Sequence, residues 1–222
     1  MSVSSSGVFA NKNVGAGKTV TLTNTLGGND LGNYTVTDQA TTTADITKKS
    51  ITLSGITASN KTYDGNNIAS VSVDGAVFKD MVAGDELTVA STCKFDDKNA
   101  ATGKTVTLVN TLGGADLGNY AITDQVTTTA DISKKSITLS GITASNKTYD
   151  GSNVATASVT SANFGGKVSG DDLSVASTGT FSDKNAATGK TVTLVNTLGG
   201  VDLGNYAITD QVSTTADINK RA

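Results

Sequence analysis

Residues 127–139 read Thr-Thr-Thr-Ala-Asp-Ile-Ser-Lys-Lys-Ser-Ile-Thr-Leu, and this stretch decides the fold. Apolar residues occupy alternate positions on both sides of the lysine pair: Ala130 and Ile132 before it, Ile137 and Leu139 after it. That period belongs to half-buried strands, and the β-branched residues around it suit a pleated surface. The stretch holds no Pro, no Gly and no Ser/Gly-rich spacer, which are the materials of a flexible linker. One strand is therefore expected to run into the next with only Ser133-Lys134-Lys135 between them, and the paired lysines to sit in solvent.

Working outward, the same words return at a fixed interval of 86 residues. Tyr-Asp-Gly stands at 63–65 and 149–151, and Gly-Lys-Thr-Val-Thr-Leu at 17–22, 103–108 and 189–194. Leu-Gly-Asn-Tyr ends at Tyr34, Tyr120 and Tyr206. The copies align without a gap, the mark of an array of modules rather than one enzyme around one cleft. The phase divides the chain into a partial repeat at 1–47 (the back half of the unit), full repeats at 48–133 and 134–219, and a stub at 220–222. This is the pattern expected of a segment of a longer array. The half-unit lacks the strands equivalent to 134–173. It is expected to be disordered, to belong to a body bounded elsewhere in the period, or to be completed by strands from another molecule.

Each unit reads as six or seven short strands. Ile51, Leu53 and Ile56 define one apolar face, and Val106 and Leu108 another. Leu87, Val89, Cys93 and Phe95 share a parity, as do Ile122, Val126, Ala130 and Ile132. Turn signals separate them at Asp64-Gly65, Asp74-Gly75, Gly84-Asp85, Gly113-Gly114 and Gly118-Asn119. The expected architecture is all-β: small Ig-like β-sandwiches in a linear, fairly stiff array. A β-grasp-like unit is the alternative and needs a helix that the pattern does not show.

Composition removes several functions. The chain contains no His, which excludes a His-based triad, general base or zinc site. A formal charge of −3 without a basic stripe offers nucleic acid or an anionic membrane nothing to bind. No apolar run is long enough to span a bilayer. Cys93 is the only cysteine and corresponds to Gly7 and Gly179, so the unit folds without it and without disulfides. No catalysis and no cofactor are expected.

The motifs at 142–151, Gly170-Asp171, Phe181-Ser-Asp-Lys-Asn, Gly189-Lys-Thr-Val, Leu203-Gly-Asn-Tyr and Thr215-Ala-Asp-Ile, in that order, resemble the YDG repeat. Such repeats occur in very large bacterial surface and secreted proteins, including filamentous-haemagglutinin-like adhesins. The resemblance covers both full units and the half-unit, although proline is wholly absent here. It implies an extracellular, cell-surface stalk or adhesin module. The expected partners are neighbouring repeats of the chain, homotypic fibre contacts where the half-unit is completed by another molecule, and an unidentified host or surface ligand.

Several sites follow as expectations. Tyr63-Asp64-Gly65 and Tyr149-Asp150-Gly151 pair an aromatic ring with a carboxylate, as a sugar site would; the plainer reading is a turn with Tyr covering the core. Calcium at the domain junctions would draw on Asp96-Asp97, Asp171-Asp172, or Asp116 with Asp124. An amide crosslink would need Lys61 or Lys104 beside Asn99 or Asn119. A Thr row at 19, 21, 23 and 25 offers a glycan or ice face. The two full copies differ at 19 positions, 16 of them between Asn66/Ser152 and Asp96/Ser182. Segments 74–86 and 160–172 therefore read as variable surface loops.

Overall fold

The structure, a computed structural model, describes residues 1–222. Strands dominate, and the helical pieces are three single 3-10 turns at Leu31–Asn33, Leu117–Asn119 and Leu203–Asn205. The protein is an all-β tandem array. The β-grasp alternative fails for want of its helix.

Each repeat supplies the same antiparallel hairpin. Ser2–Phe9 pairs with Gly15–Gly27 so that Ser2 faces Gly27, and Ser174–Phe181 pairs with Ala187–Gly199 in the identical register. A third strand joins each hairpin: Thr41–Ile46, Thr127–Ser133 or Ser213–Asn219. That pairing is broken by a bulge just before Lys18, Lys104 and Lys190. Inside the bulges, Gly17, Gly103 and Gly189 take φ of +60°, +62° and +61°. Their N–H groups donate to Asp45, Asp131 and Asp217, each at 2.7 Å. Gly-Lys-Thr-Val and Thr-Ala-Asp-Ile recur together for this reason: one supplies the residue that tolerates a left-handed backbone, the other the acceptor that holds it.

The chain forms two compact units, and neither is a repeat. The first comprises Met1–Thr57, Val71–Thr92 and Leu108–Val126; the second comprises Ala58–Ser70, Cys93–Thr107 and Thr127–Ala222. The expectation that each 86-residue copy closes on itself is thus corrected.

In the first unit the half-repeat is ordered, and it shares its body with parts of the following copy. Of the three fates open to it, a boundary elsewhere in the period is the one observed. Lys49–Ser54 runs parallel to Tyr120–Thr123 and antiparallel to Val77–Lys79. Ile51, Leu53, Ile56 and Tyr120 are buried, as their alternation requires. Gln125 closes this sheet by taking the Ile56 N–H at 3.0 Å and donating to its carbonyl at 2.7 Å. Segment 74–86, expected as a loop, contains the strand Val77–Lys79 and then Asp80 at φ +70°. Glycine stands at the equivalent position 166, with φ +95°.

In the second unit, Lys147–Thr148, Ser213–Asn219, Ala187–Gly199, Ser174–Phe181 and Val154–Ala155 form a five-stranded sheet. Lys135–Ser140 lies between Asn163–Gly165 and Tyr206–Thr209 in a second, mixed sheet. Only Lys134 separates Lys135–Ser140 from the preceding strand Thr127–Ser133, so the missing linker is confirmed. Its alternating residues then divide. Leu139 packs with Ile142, Phe181, Val192, Leu194 and Ile218 of its own repeat. Ile137, one pleat earlier, packs with Phe95, Val106, Ala130 and Ile132 of the repeat before. A strand that touches two cores welds consecutive copies into one body, since neither core closes without it.

Candidate functional site: a tyrosine–aspartate–lysine clasp

The second core is sealed by a polar cluster centred on Asp171, whose side chain is 3% exposed. Asp171 accepts from Tyr63 Oη at 2.8 Å, Tyr206 Oη at 2.5 Å and Lys98 Nζ at 3.0 Å. Tyr63 and Lys98 belong to repeat 48–133, whereas Asp171 and Tyr206 belong to repeat 134–219. The site is therefore a clasp between consecutive copies, lying wholly within the second unit.

Local structure aims each group. Lys61–Thr62 pairs parallel with Ile132–Ser133, and the Tyr63 N–H donates to the Ser133 carbonyl at 2.8 Å, which projects the ring past the end of its own sheet. The ring meets Tyr206 edge to face, with centroids 5.5 Å apart and planes at 77°. Lys98 stands over the Tyr63 ring at 5.8 Å and also pairs with Asp202 at 3.2 Å. Tyr206 Oη accepts the Val168 N–H at 3.0 Å. Asn205 Oδ1 accepts the Ala100 N–H at 2.8 Å. Gly65 has φ +85°, and a Cβ there would lie 2.6 Å from Val168 Cγ1, so the tyrosine can approach only because glycine follows it.

Burial pushes the Asp171 carboxyl upward, but the bonds from Tyr206, Tyr63 and Lys98 outweigh it and hold the group below its ordinary pKa. Burial, then the Asp171 hydrogen bond, pushes Tyr206 up to about 12 and raises Tyr63 as well. The carboxylate is thus charged and both phenols are neutral across the physiological range. Such an arrangement binds segments together; it contains no poised acid or base and no reactive nucleophile.

The first unit holds the same constellation one repeat earlier. Lys12 pairs with Asp85 and, at 2.9 Å, with Asp116. Tyr120 Oη donates to Asp85 at 2.5 Å and accepts the Val82 N–H at 3.1 Å. Asn119 Oδ1 accepts the Val14 N–H at 2.9 Å. Only the counterpart of Tyr63 is missing.

The sequence profile of the YDG domain matches residues 1–44, 47–130 and 133–216. The chain belongs to the YDG domain family. No curated protein and no solved structure matches it.

The three residues of the YDG motif now have separate parts. Tyr63 is the knob, Asp64 pairs with Lys61 at 2.7 Å and accepts the Asn66 N–H at 3.1 Å to shape the turn, and Gly65 clears the approach. The sugar-stacking expectation fails at Tyr63, which is 1% exposed. Covering the core is the correct reading of this residue, although the core it covers is shared with the next copy. Tyr149, the second motif tyrosine, is half-buried, with its N–H on the Asn219 carbonyl at 2.8 Å.

Most of these carboxylates are engaged with cations of the chain itself. Lys104 bridges Asp96 and Asp97 at 3.0 and 2.9 Å, and Lys98 bridges Asp171 and Asp202. Asp116 binds Lys12, Asp124 accepts from Asn110 and Asp172 accepts the Val201 N–H, and no group of three or more such side chains converges on one point. The lysine–asparagine pairs expected for an amide crosslink are not assembled either. Lys61 bonds to Asn66 and Asp64 and Lys104 to two aspartates, while Asn99 and Asn119 accept from Asn205 and Val14. Gly114, in the turn expected at Gly113-Gly114, takes φ +109° and packs so closely that an added Cβ would stand 2.2 Å from the Glu86 carbonyl oxygen. Cys93 lies half-buried on Thr88–Phe95 against the shared core, and burial pushes its thiol up. Thr19, Thr21, Thr23 and Thr25 do form an exposed row.

Sequence reasoning did not single out Lys98 or Tyr206 and took Asp171 for a calcium candidate. One signal was available. Gly84-Asp85 and Gly170-Asp171 are unchanged in the segment where 16 of the 19 differences fall. A carboxylate kept inside a drifting loop has a partner outside it.

Proposed function

We propose that this YDG array is a structural spacer of a bacterial surface adhesin of the filamentous-haemagglutinin-like kind, extracellular and without catalytic activity. The observation that carries the reading is the core shared between copies: Tyr63, Phe95, Val106, Ala130 and Ile132 of one repeat close on Ile137 and Tyr206 of the next. Repeats coupled in this way resist bending at their joints, a property a stalk needs and an enzyme or an isolated binding module does not. Gly, Asn and Thr turns with abundant exposed hydroxyls suit a surface bathed in water, and independence from disulfides lets the array fold before or after export.

Small-angle scattering of arrays of two, four and six repeats tests the mechanical part. The maximum dimension should grow in proportion to repeat number. Replacing every clasp aspartate (Asp85, Asp171 and their equivalents) by Asn should make the longer arrays bend. Dimensions that follow a flexible-chain square-root law in the unmodified arrays would refute the spacer. Protease shaving of intact cells tests the location, since a surface stalk releases YDG peptides before lysis.

A further inference from the structure

In the first unit, Lys12, Val14, Ile46, Lys49, Asp85 and Tyr120 line most of a cavity of about 170 Å³, together with Thr47, Val82 and Asn119. This is below the ~300–1,000 Å³ of usual small-molecule sites. Each lining residue has a counterpart 86 positions later in the second unit. There Lys98, Ala100, Ile132, Val168, Asp171 and Tyr206 surround Tyr63, and Ser133, the counterpart of Thr47, accepts the Tyr63 N–H. The same socket is filled in one unit and empty in the other.

We infer that the cavity of the first unit is a receptor for a Tyr-Asp-Gly segment of the kind that this chain carries at 56–69 and, with two substitutions, at 142–155, with the tyrosine hydroxyl donating to Asp85. The backbone around it agrees. In the second unit the segment runs parallel along Ile132–Ser133, and Asn60 Oδ1 accepts the Asp131 N–H at 2.7 Å. The matching strand Thr41–Ile46 ends at Ile46 with that side unpaired. Charge also matches. Asp85 holds its Lys12 and Tyr120 bonds and has room for a second phenol, as Asp171 accepts two. The cavity thus fits the motif whose equivalent fills its counterpart in the second unit. The inference stands on the clasp geometry and is independent of any surface role.

The test titrates the full 222-residue chain with a synthetic peptide of residues 56–69, followed by calorimetry and by amide chemical shifts. One site per chain is expected, with shifts at Asp85 and Tyr120 and none at Asp171 and Tyr206. A peptide with Tyr63→Ala should bind at least ~30-fold more weakly, as buried aromatic anchors do. Tyr63→Phe should cost about tenfold, the value of one hydrogen bond to a charged acceptor. Asp85→Asn in a chain that retains its fold should weaken the Tyr peptide by a similar factor and leave the Phe peptide unchanged. Absence of saturable binding, equal binding of the Tyr and Ala peptides, or shifts centred on Asp171 would overturn the inference.

Discussion

Residues 2–46 and 174–218 are similar sequences folded in the same register, yet the second is a core element and the first is covered over only part of its face. Val192, Phe181 and Ile218 are all buried in the second unit; of their counterparts in the first, Val20 is still buried at 8% exposure, but Phe9 and Ile46 are only half-buried. Tyr206 is 4% exposed, but its counterpart Tyr34 is 62% exposed. Secondary structure follows the same division. Tyr206–Thr209 is a strand because Lys135–Thr138 pairs with it, and the residues after Tyr34 form none because no equivalent partner strand is present. The lesson is that hairpin, bulge and register are local properties of this sequence, while burial and the final strand depend on the front half of a repeat lying over them.

The widest separation between the two regions should come from their phenylalanines. Phe181→Ala should cost about 3–5 kcal/mol in denaturant unfolding of the second unit, as large core truncations do. Phe9→Ala, on the partly covered sheet, should cost less than about 1 kcal/mol. Similar losses at both positions would mean that the first sheet is fully covered in solution, and the comparison would collapse.

Next in size is the clasp. Tyr206→Phe removes a hydrogen bond to a buried carboxylate and should cost about 1.5–3 kcal/mol. Tyr34→Phe should stay within about 0.5 kcal/mol. A neutral outcome at Tyr206 would show that the edge-to-face packing alone holds the repeats together.

Acidity sharpens the contrast further. Because the Asp171 pKa is lowered in the folded state, its contribution is complete above the unfolded carboxylate value of about 3.9 and is lost as pH falls through the lower folded value. Tyr206 is raised to about 12, so its contribution is complete below about 10 and is lost as pH rises toward 12. Stability of the second unit should therefore fall at both ends, and Asp171→Asn should flatten the acid limb. An acid limb of unchanged slope in that variant would assign it to other carboxylates.

The smallest effect is an expected equality. Gly17→Ala and Gly103→Ala place a Cβ with nothing within 4 Å, at φ +60° and +62°. Each should cost about 1–2 kcal/mol from backbone strain alone, with or without cover. Unequal costs would show that the bulge itself adapts to what packs on it.

Much of this was legible in the residues. Alternation at Ile51, Leu53, Val106 and Leu108 marked buried strand faces, and all four are buried. The pattern failed at Val126, whose parity suggested burial and which is 60% exposed: it lies in the connection between Tyr120–Thr123 and Thr127–Ser133, outside both strands. The clasp was harder to see. Lys98, Asp171 and Tyr206 lie far apart in the chain, and each sits in an ordinary turn or strand-end context; the reach from one copy into the next has no local signature.

By itself, the sequence determined the 86-residue period, the all-β character, the hairpin register and the absence of slack between copies. These follow from side-chain alternation, glycine placement and missing linker residues, which act over a few positions. Only the tertiary structure decided where one body stops and the next begins. That outcome depends on which apolar faces find cover, and here Ile137, Leu139 and the YDG tyrosine find it on both sides of the repeat boundary.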